Sequence, residues 1–232
     1  MWTRNSRIGD ILKRIKRRIK YGRILAVLII LFLIVVLIIK ISNLRITNIY
    51  ISGNEILKDQ EIIDIAKISD YPKTIKNSTW TIEDRLNKNP LIKKSKVEKE
   101  KLTIIKITIE ENKPIFYNNI TFKTVLEDGI EIDNKYDVPI LINYVPDYIY
   151  TEFKQKMSLV NKDVLNKISE IKYDPNDVDE KRFLLTMMDG NYVYLTISRF
   201  ELVNNYISII KNFKDKKGIL YLDVGNVFEY FE

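Results

Sequence analysis

The sequence predicts an α+β protein: a single N-terminal transmembrane helix, a small strand–helix–helix–strand–strand unit, then a mostly antiparallel β-domain with a few helices. Three observations carry this prediction. "ILAVLIILFLIVVLII", Ile24–Ile39, contains no polar residue. "IYISGNEILKDQEII", residues 49–63, switches from strand alternation to helical spacing at Gly53-Asn54. Two Asp-Gly pairs, Asp128-Gly129 and Asp189-Gly190, stand between apolar runs, the signature of tight hairpins.

Composition excludes several function classes. The 232 residues include no cysteine and no histidine. Disulfide frameworks, thiolate nucleophiles and Cys/His zinc sites are therefore ruled out, and the side chain best suited to proton transfer near neutral pH is missing. Paired acids such as Glu110-Glu111 are present, but adjacent carboxylates on a strand point to opposite faces. No Gly-rich phosphate loop occurs. No enzyme chemistry, no metal and no cofactor are expected. The net charge of +7 does not indicate nucleic acid. Residues 1–23 carry nine basic residues against Asp10, a balance of +8, which leaves the rest of the chain at −1. No basic groove follows from that distribution.

The apolar run begins after this basic tail (residues 1–22), and the anchor is assigned to residues 23–41. Its sixteen uniformly apolar residues fall slightly short of a ~30 Å hydrocarbon core. Tyr21, Gly22 and Ile41 extend it, and Arg23 and Lys40 can reach the interfaces. No small-x-small cleavage site follows, so the segment is read as a retained signal anchor. Lys13, Arg14, Lys16, Arg17, Arg18 and Arg23 fix its direction by the positive-inside rule, with the N-terminus cytoplasmic and residues 46–232 outside.

Residues 45–113 form the first exported unit. Ile49, Tyr50 and Ile51 make a short strand, and Gly53 supplies the freedom to turn. Asp59 and Glu61 place negative charge in the first turn of a helix with Ile62, Ile65 and Ala66 on its apolar stripe. In "TWTIEDRLNKNP", Thr81 and Asp84 resemble a capping box and Pro90 stops the helix. "LIKKSKVEKEKLTIIKITIEEN" reads as two strands around a turn at Glu98–Lys101, with Ile105, Ile107 and Ile109 on the buried face. Pro114 marks the boundary to residues 114–232. There the two Asp-Gly hairpins are accompanied by helical spacing in "TEFKQKMSLV", between them, and in "RFELVNNYISIIKNF", after the second. The chain closes with two short strands in "GILYLDVGNVFEYF".

This ordered set resembles the bacterial division protein family FtsQ, called DivIB in Gram-positive bacteria. The carrying residues are "ITNIYISGNEILKDQEII", "TIEDRLNKNPLIKKSKVEKEKLTIIKITIEENKPI", "VLEDGIEI", "VPILI", "ISEI", "TMMDGNYVYL" and "ILYLDV" behind the anchor. The first unit resembles a POTRA domain ending in Glu-x-x-Pro. The resemblance implies a non-catalytic divisome protein at the septum of the cytoplasmic membrane. Its implied partners are FtsL-like and DivIC/FtsB-like bitopic proteins, and its implied role includes regulation of septal peptidoglycan synthesis, with the septal synthase a further candidate partner. Three departures stand out: Lys58 where the family often has a serine N-cap, Lys101 in place of a turn proline, and Gly225 in place of an arginine. The alternative reading is an anchored POTRA-type chaperone or an adhesion or sensor domain unrelated to division.

A partner site is expected on the strand Gly218–Val224, read as a sheet edge open to β-augmentation. Its candidate residues are Ile219, Leu220, Tyr221, Leu222, Asp223 and Val224, with Tyr206 nearby in the helical stretch. A second docking surface is expected on the POTRA-like unit at Ile51, Gly53 and Asn54.

Overall fold

The computed structural model describes residues 21–213 and 216–231. Of the six orientation residues, Lys13, Arg14, Lys16, Arg17 and Arg18 lie outside the described residues, and Arg23 falls in the first turn of helix α1, Tyr21–Ser42. All side chains of α1 are left uncovered by the rest of the chain, except that Ser42 is half-covered. A 22-residue helix of this composition, exposed all round, fits lipid rather than a protein core.

Strand β1 (Asn48–Ser52), helices α2 (Asp59–Ala66) and α3 (Thr79–Leu86), and strands β2 (Ile92–Glu100) and β3 (Ile104–Glu111) follow in the predicted order. The sheet runs β1-β3-β2, with β1 parallel and β2 antiparallel to β3. Ile105, Ile107 and Ile109 point inward onto Ile62, Ala66, Ile82 and Leu86. Two local readings change. The cap of α3 is Ser78, whose Oγ accepts the Thr81 N–H, so the capping signal sits three residues earlier than Thr81. The β2–β3 turn falls at Lys101–Thr103, with Lys101 and Leu102 both in left-handed backbone. Lys58 offers no side-chain acceptor, yet its own N–H donates to Glu61, which preserves half of a capping box.

The remaining strands are β4 (Pro114–Asn118), β5 (Lys123–Leu126), β6 (Glu131–Ile132), β7 (Ile140–Leu141), β8 (Ile168–Tyr173), β9 (Arg182–Met187), β10 (Tyr192–Thr196), β11 (Gly218–Tyr221) and β12 (Val227–Tyr230). They form one nine-stranded sheet, ordered β12-β11-β10-β9-β8-β7-β4-β5-β6. Both Asp-Gly pairs occupy hairpin turns, β5–β6 and β9–β10. Helix α4 (Asp147–Met157) lays Ile149, Phe153 and Met157 on the sheet, and α5 (Lys162–Leu165) adds Val164 and Leu165. Phe153 stacks on Phe183 at 4.7 Å and meets Phe200 edge-on at 5.7 Å. Such pairs add about 0.5–1.5 kcal/mol each beyond area burial. The stretch read as one helix over Phe200–Phe213 is broken. A 3-10 run, Ile197–Asn205, precedes a short helix α6 (Tyr206–Ile210) and a further 3-10 turn, Lys211–Phe213.

Pro114 opens β4 directly after β3, with no exposed linker between the sheets. Asn112 is buried, donating to the Pro90 carbonyl and accepting from the Asp128 N–H. Leu126, from β5, is part of the first unit's core.

Candidate partner-binding edge

The C-terminal hairpin reverses one expectation. Strand β11 is interior: β10 pairs with it in parallel and β12 antiparallel. Leu220 and Leu222 are fully buried, and the Leu222 N–H donates to the Tyr194 carbonyl at 2.8 Å. Ile219 and Tyr221 are half-buried and pair with Glu229 and Val227. Only Val224, beyond the strand, is freely exposed. Gly218 is where the two strands come closest, because a Cβ there would lie 1.9 Å from the Glu229 carbonyl oxygen. The edge strand is therefore β12, not Gly218–Val224.

Asp223 and Tyr206 also turn inward. The Arg182 Nε donates to Asp223 Oδ2 at 2.8 Å, and both side chains are largely covered. The same guanidinium lies 3.5 Å from the centre of the Tyr194 ring, which stacks on Tyr221. Asp223 thus closes an internal ion pair and is not a rim charge. Tyr206 is 2 % exposed, donates to Asp189 at 2.7 Å and accepts from Asn191 at 3.0 Å. Burial, together with the Asp189 carboxylate, pushes its hydroxyl well above the usual tyrosine range. Asn191 Oδ1 accepts the Gly218 N–H, so this network positions the start of β11.

Among the described residues, strand β12 has no neighbour on its outer side. The Phe231 N–H donates to the Lys217 carbonyl at 3.0 Å. By antiparallel alternation the backbone groups of Val227, Glu229 and Phe231 face β11, and those of Phe228 and Tyr230 face outward. Val227, Tyr230 and Phe231 are exposed apolar side chains beside them. Phe213 stacks on Phe228 at 4.3 Å and meets Tyr230 edge-on, which stiffens the strand from one face. The opposite edge, β6, has two residues only. An extended peptide would find its longest unpaired ladder in this sheet at β12.

On the first unit, Gly53 has φ +88, and a Cβ there would lie 2.1 Å from the Ile109 carbonyl oxygen. Asn54 donates to the Leu57 carbonyl and to Asp59, both at 2.9 Å. Both residues shape the β1–α2 connection, and Ile51 is half-buried on β1. The sequence reading missed what this connection rests on. Buried Glu111 accepts three backbone N–H groups: Glu55 and Ile56 on Oε2 and Leu57 on Oε1, each at 2.8 Å. The available signal was the Glu of Glu-x-x-Pro. Glu55 in turn bridges Lys113 (3.3 Å) and Lys162 of α5 (2.7 Å), tying the two units together. The Lys162 and Lys113 hydrogen bonds hold the Glu55 carboxyl below its ordinary value.

An apolar helix long enough to cross a membrane, a POTRA-like three-stranded unit and a nine-stranded β-domain define the α+β class of this chain. Residues 44–112 match the POTRA domain family of FtsQ type. The chain is 33 % identical to cell division protein DivIB of Listeria monocytogenes, over 97 % of this chain and 88 % of that protein. It is 32 % identical to DivIB of Bacillus subtilis, over 79 % and 73 % respectively. The solved major extracytoplasmic domain of DivIB from Geobacillus stearothermophilus covers 46 % of this chain and 96 % of its own at 24 % identity. Its TM-score of 0.38 is too loose to guide a structural comparison. The chain belongs to the FtsQ/DivIB family of bacterial cell division proteins.

Proposed function

We propose that this chain is a non-catalytic scaffold of the division machinery, inserted with its N-terminus in the cytoplasm and residues 46–232 outside. It holds FtsL-like and DivIC/FtsB-like bitopic partners at the septum and through them regulates septal peptidoglycan synthesis, with the septal synthase a further contact. The observation that supports this most is β12: an apolar edge strand with outward backbone groups at Phe228 and Tyr230. A partner strand adding there gains ladder hydrogen bonds, and the exposed Val227, Tyr230 and Phe231 tune its fit.

Proline substitution tests the reading through the backbone when the matching alanine variants report the loss of the rings. Phe228→Pro and Tyr230→Pro remove an outward N–H, which an edge strand tolerates. Each should abolish co-purification of the full chain with a DivIC-like protein, whereas Phe228→Ala and Tyr230→Ala, which lose the same rings and keep the N–H, should retain it, and each proline variant should melt close to its alanine counterpart. Glu229→Pro removes an inward N–H and should destabilise the hairpin itself. Unimpaired partner capture by both outward prolines, in folded protein, would sink the β12 assignment.

A further inference from the structure

The membrane helix runs into the POTRA unit with almost no slack. Lys40 is the first charge at the helix exit, and Asn43 closes the helix by donating to the Ile39 carbonyl. At the next residue, Leu44, the carbonyl accepts the Thr74 N–H at 2.9 Å. Arg45 bridges to Lys73, the Ile46 N–H donates to the Pro72 carbonyl, and Lys73 Nζ donates to Asn43. Leu44 lies four positions after Lys40, about 6 Å at helical rise. The headgroup layer beyond the hydrocarbon is itself roughly 5–7 Å deep. With α1 across a bilayer, the hydrogen bonds of residues 72–74 to residues 43–46 would hold the segment Tyr71–Lys76 at headgroup depth.

Tyr71 and Ile75 in this segment are exposed, at 49 % and 62 %. The β2–β3 tip joins them: the Thr47 N–H donates to the Thr103 carbonyl, and Lys99 Nζ donates to the Thr74 carbonyl. Leu102 at that tip is 56 % exposed with φ +62. An exposed leucine in left-handed backbone gives the fold nothing that Asn or Gly would not give more cheaply. Lys76 follows Ile75, Lys101 precedes Leu102, and Arg45 bridges to Lys73 in the same segment; all three cations are exposed.

We propose that this end of the POTRA unit is seated in the bilayer interface, with Tyr71, Ile75 and Leu102 at the acyl boundary and the flanking cations among anionic lipid headgroups. The domain is thereby fixed in height and orientation above the membrane, and β12 is presented at a set distance from it. This rests on the anchor reading of α1.

The cysteine-free chain permits single nitroxide labels on the full protein in nanodiscs containing phosphatidylglycerol. Ile75→Cys and Leu102→Cys report the seat, and Val36→Cys reports the anchor. Lys88→Cys is the aqueous control, because nearby Leu91 and Ile92 pair with Asn112 and Glu111 at the far end of β3. Collision with oxygen, which concentrates in lipid, is compared with collision with a water-soluble nickel chelate. The oxygen-to-nickel ratio should be several-fold higher at positions 75 and 102 than at 88, and highest at 36. Lipid access at 36 with ratios at 75 and 102 equal to that at 88 overturns the seat and leaves the anchor. Nickel access at 36 removes the anchor, and the seat with it.

Discussion

Replacing Glu111 by glutamine changes one atom and should open the β1–α2 connection. The carboxylate takes three backbone N–H groups at 2.8 Å within a buried site. A glutamine keeps one oxygen. If that oxygen stays on Glu55 and Ile56, the amide NH2 is turned against the Leu57 N–H, donor facing donor. Hydrogen bonds to a charged group contribute about 1.5–3 kcal/mol each, and neutral ones about 0.5–1.5 kcal/mol. One bond lost and two weakened together cost about 3–5 kcal/mol. That corresponds to at least about a hundredfold faster opening of residues 55–57, at 1.4 kcal/mol per factor of ten. Hydrogen exchange followed by mass spectrometry on the peptide spanning these residues reads it directly. Glu110→Gln is the control, since Glu110 faces solvent and pairs only with Lys93. Equal exchange in the two variants would refute the role assigned to Glu111.

Asp223→Ala should destabilise the β-domain by about 1.5–3 kcal/mol in urea unfolding, since it removes the 2.8 Å partner of the covered Arg182 guanidinium and leaves it Asp174 at 3.7 Å. Added salt should change that loss little, because solvent ions do not reach the pair; a strong salt dependence would put Asp223 back on the surface. The Glu55 bridge should show acid sensitivity of a defined sign. Its carboxyl pKa is depressed in the folded chain, so its contribution is present above the ordinary value of 4.5 and is lost as pH falls through the lower folded value. The melting-temperature difference between wild type and Glu55→Gln should therefore shrink below that pH, and a difference that grows on acidification would contradict the bridge.

Much of the fold was legible because burial imposes a period. The switch at Gly53, the alternation of Ile105, Ile107 and Ile109, and the two Asp-Gly turns each report a local rule that tertiary structure kept. What alternation reports, however, is the face of a sheet and never its edge. "GILYLDV" and "NVFEYF" are both short and apolar, and only the strand order places the first inside and the second outside. Partners distant in sequence were equally hidden. Glu111 binds N–H groups 54–56 residues earlier, and Glu55 reaches Lys162 across 107 residues. Asp223 and Tyr206 looked available because Gly218–Val224 was read as an edge, yet each has a partner in β9 or its turn. Helical spacing over Phe200–Phe213 did not foresee that the stretch divides into 3-10 winding up to Asn205, a short helix at Tyr206–Ile210 and a 3-10 turn at Lys211–Phe213. Apolar spacing alone does not separate α from 3-10 winding over so few turns.

The account rests on β12 as the strand that receives a partner. A photo-crosslinking amino acid placed at Tyr230, in the full chain of dividing cells, tests this within reach of the outward backbone groups, with the same probe at Glu131 on the opposite edge as comparison. The account predicts an adduct with a bitopic division protein from position 230 and none from position 131. No adduct at 230, or the same adduct from both edges, would contradict it.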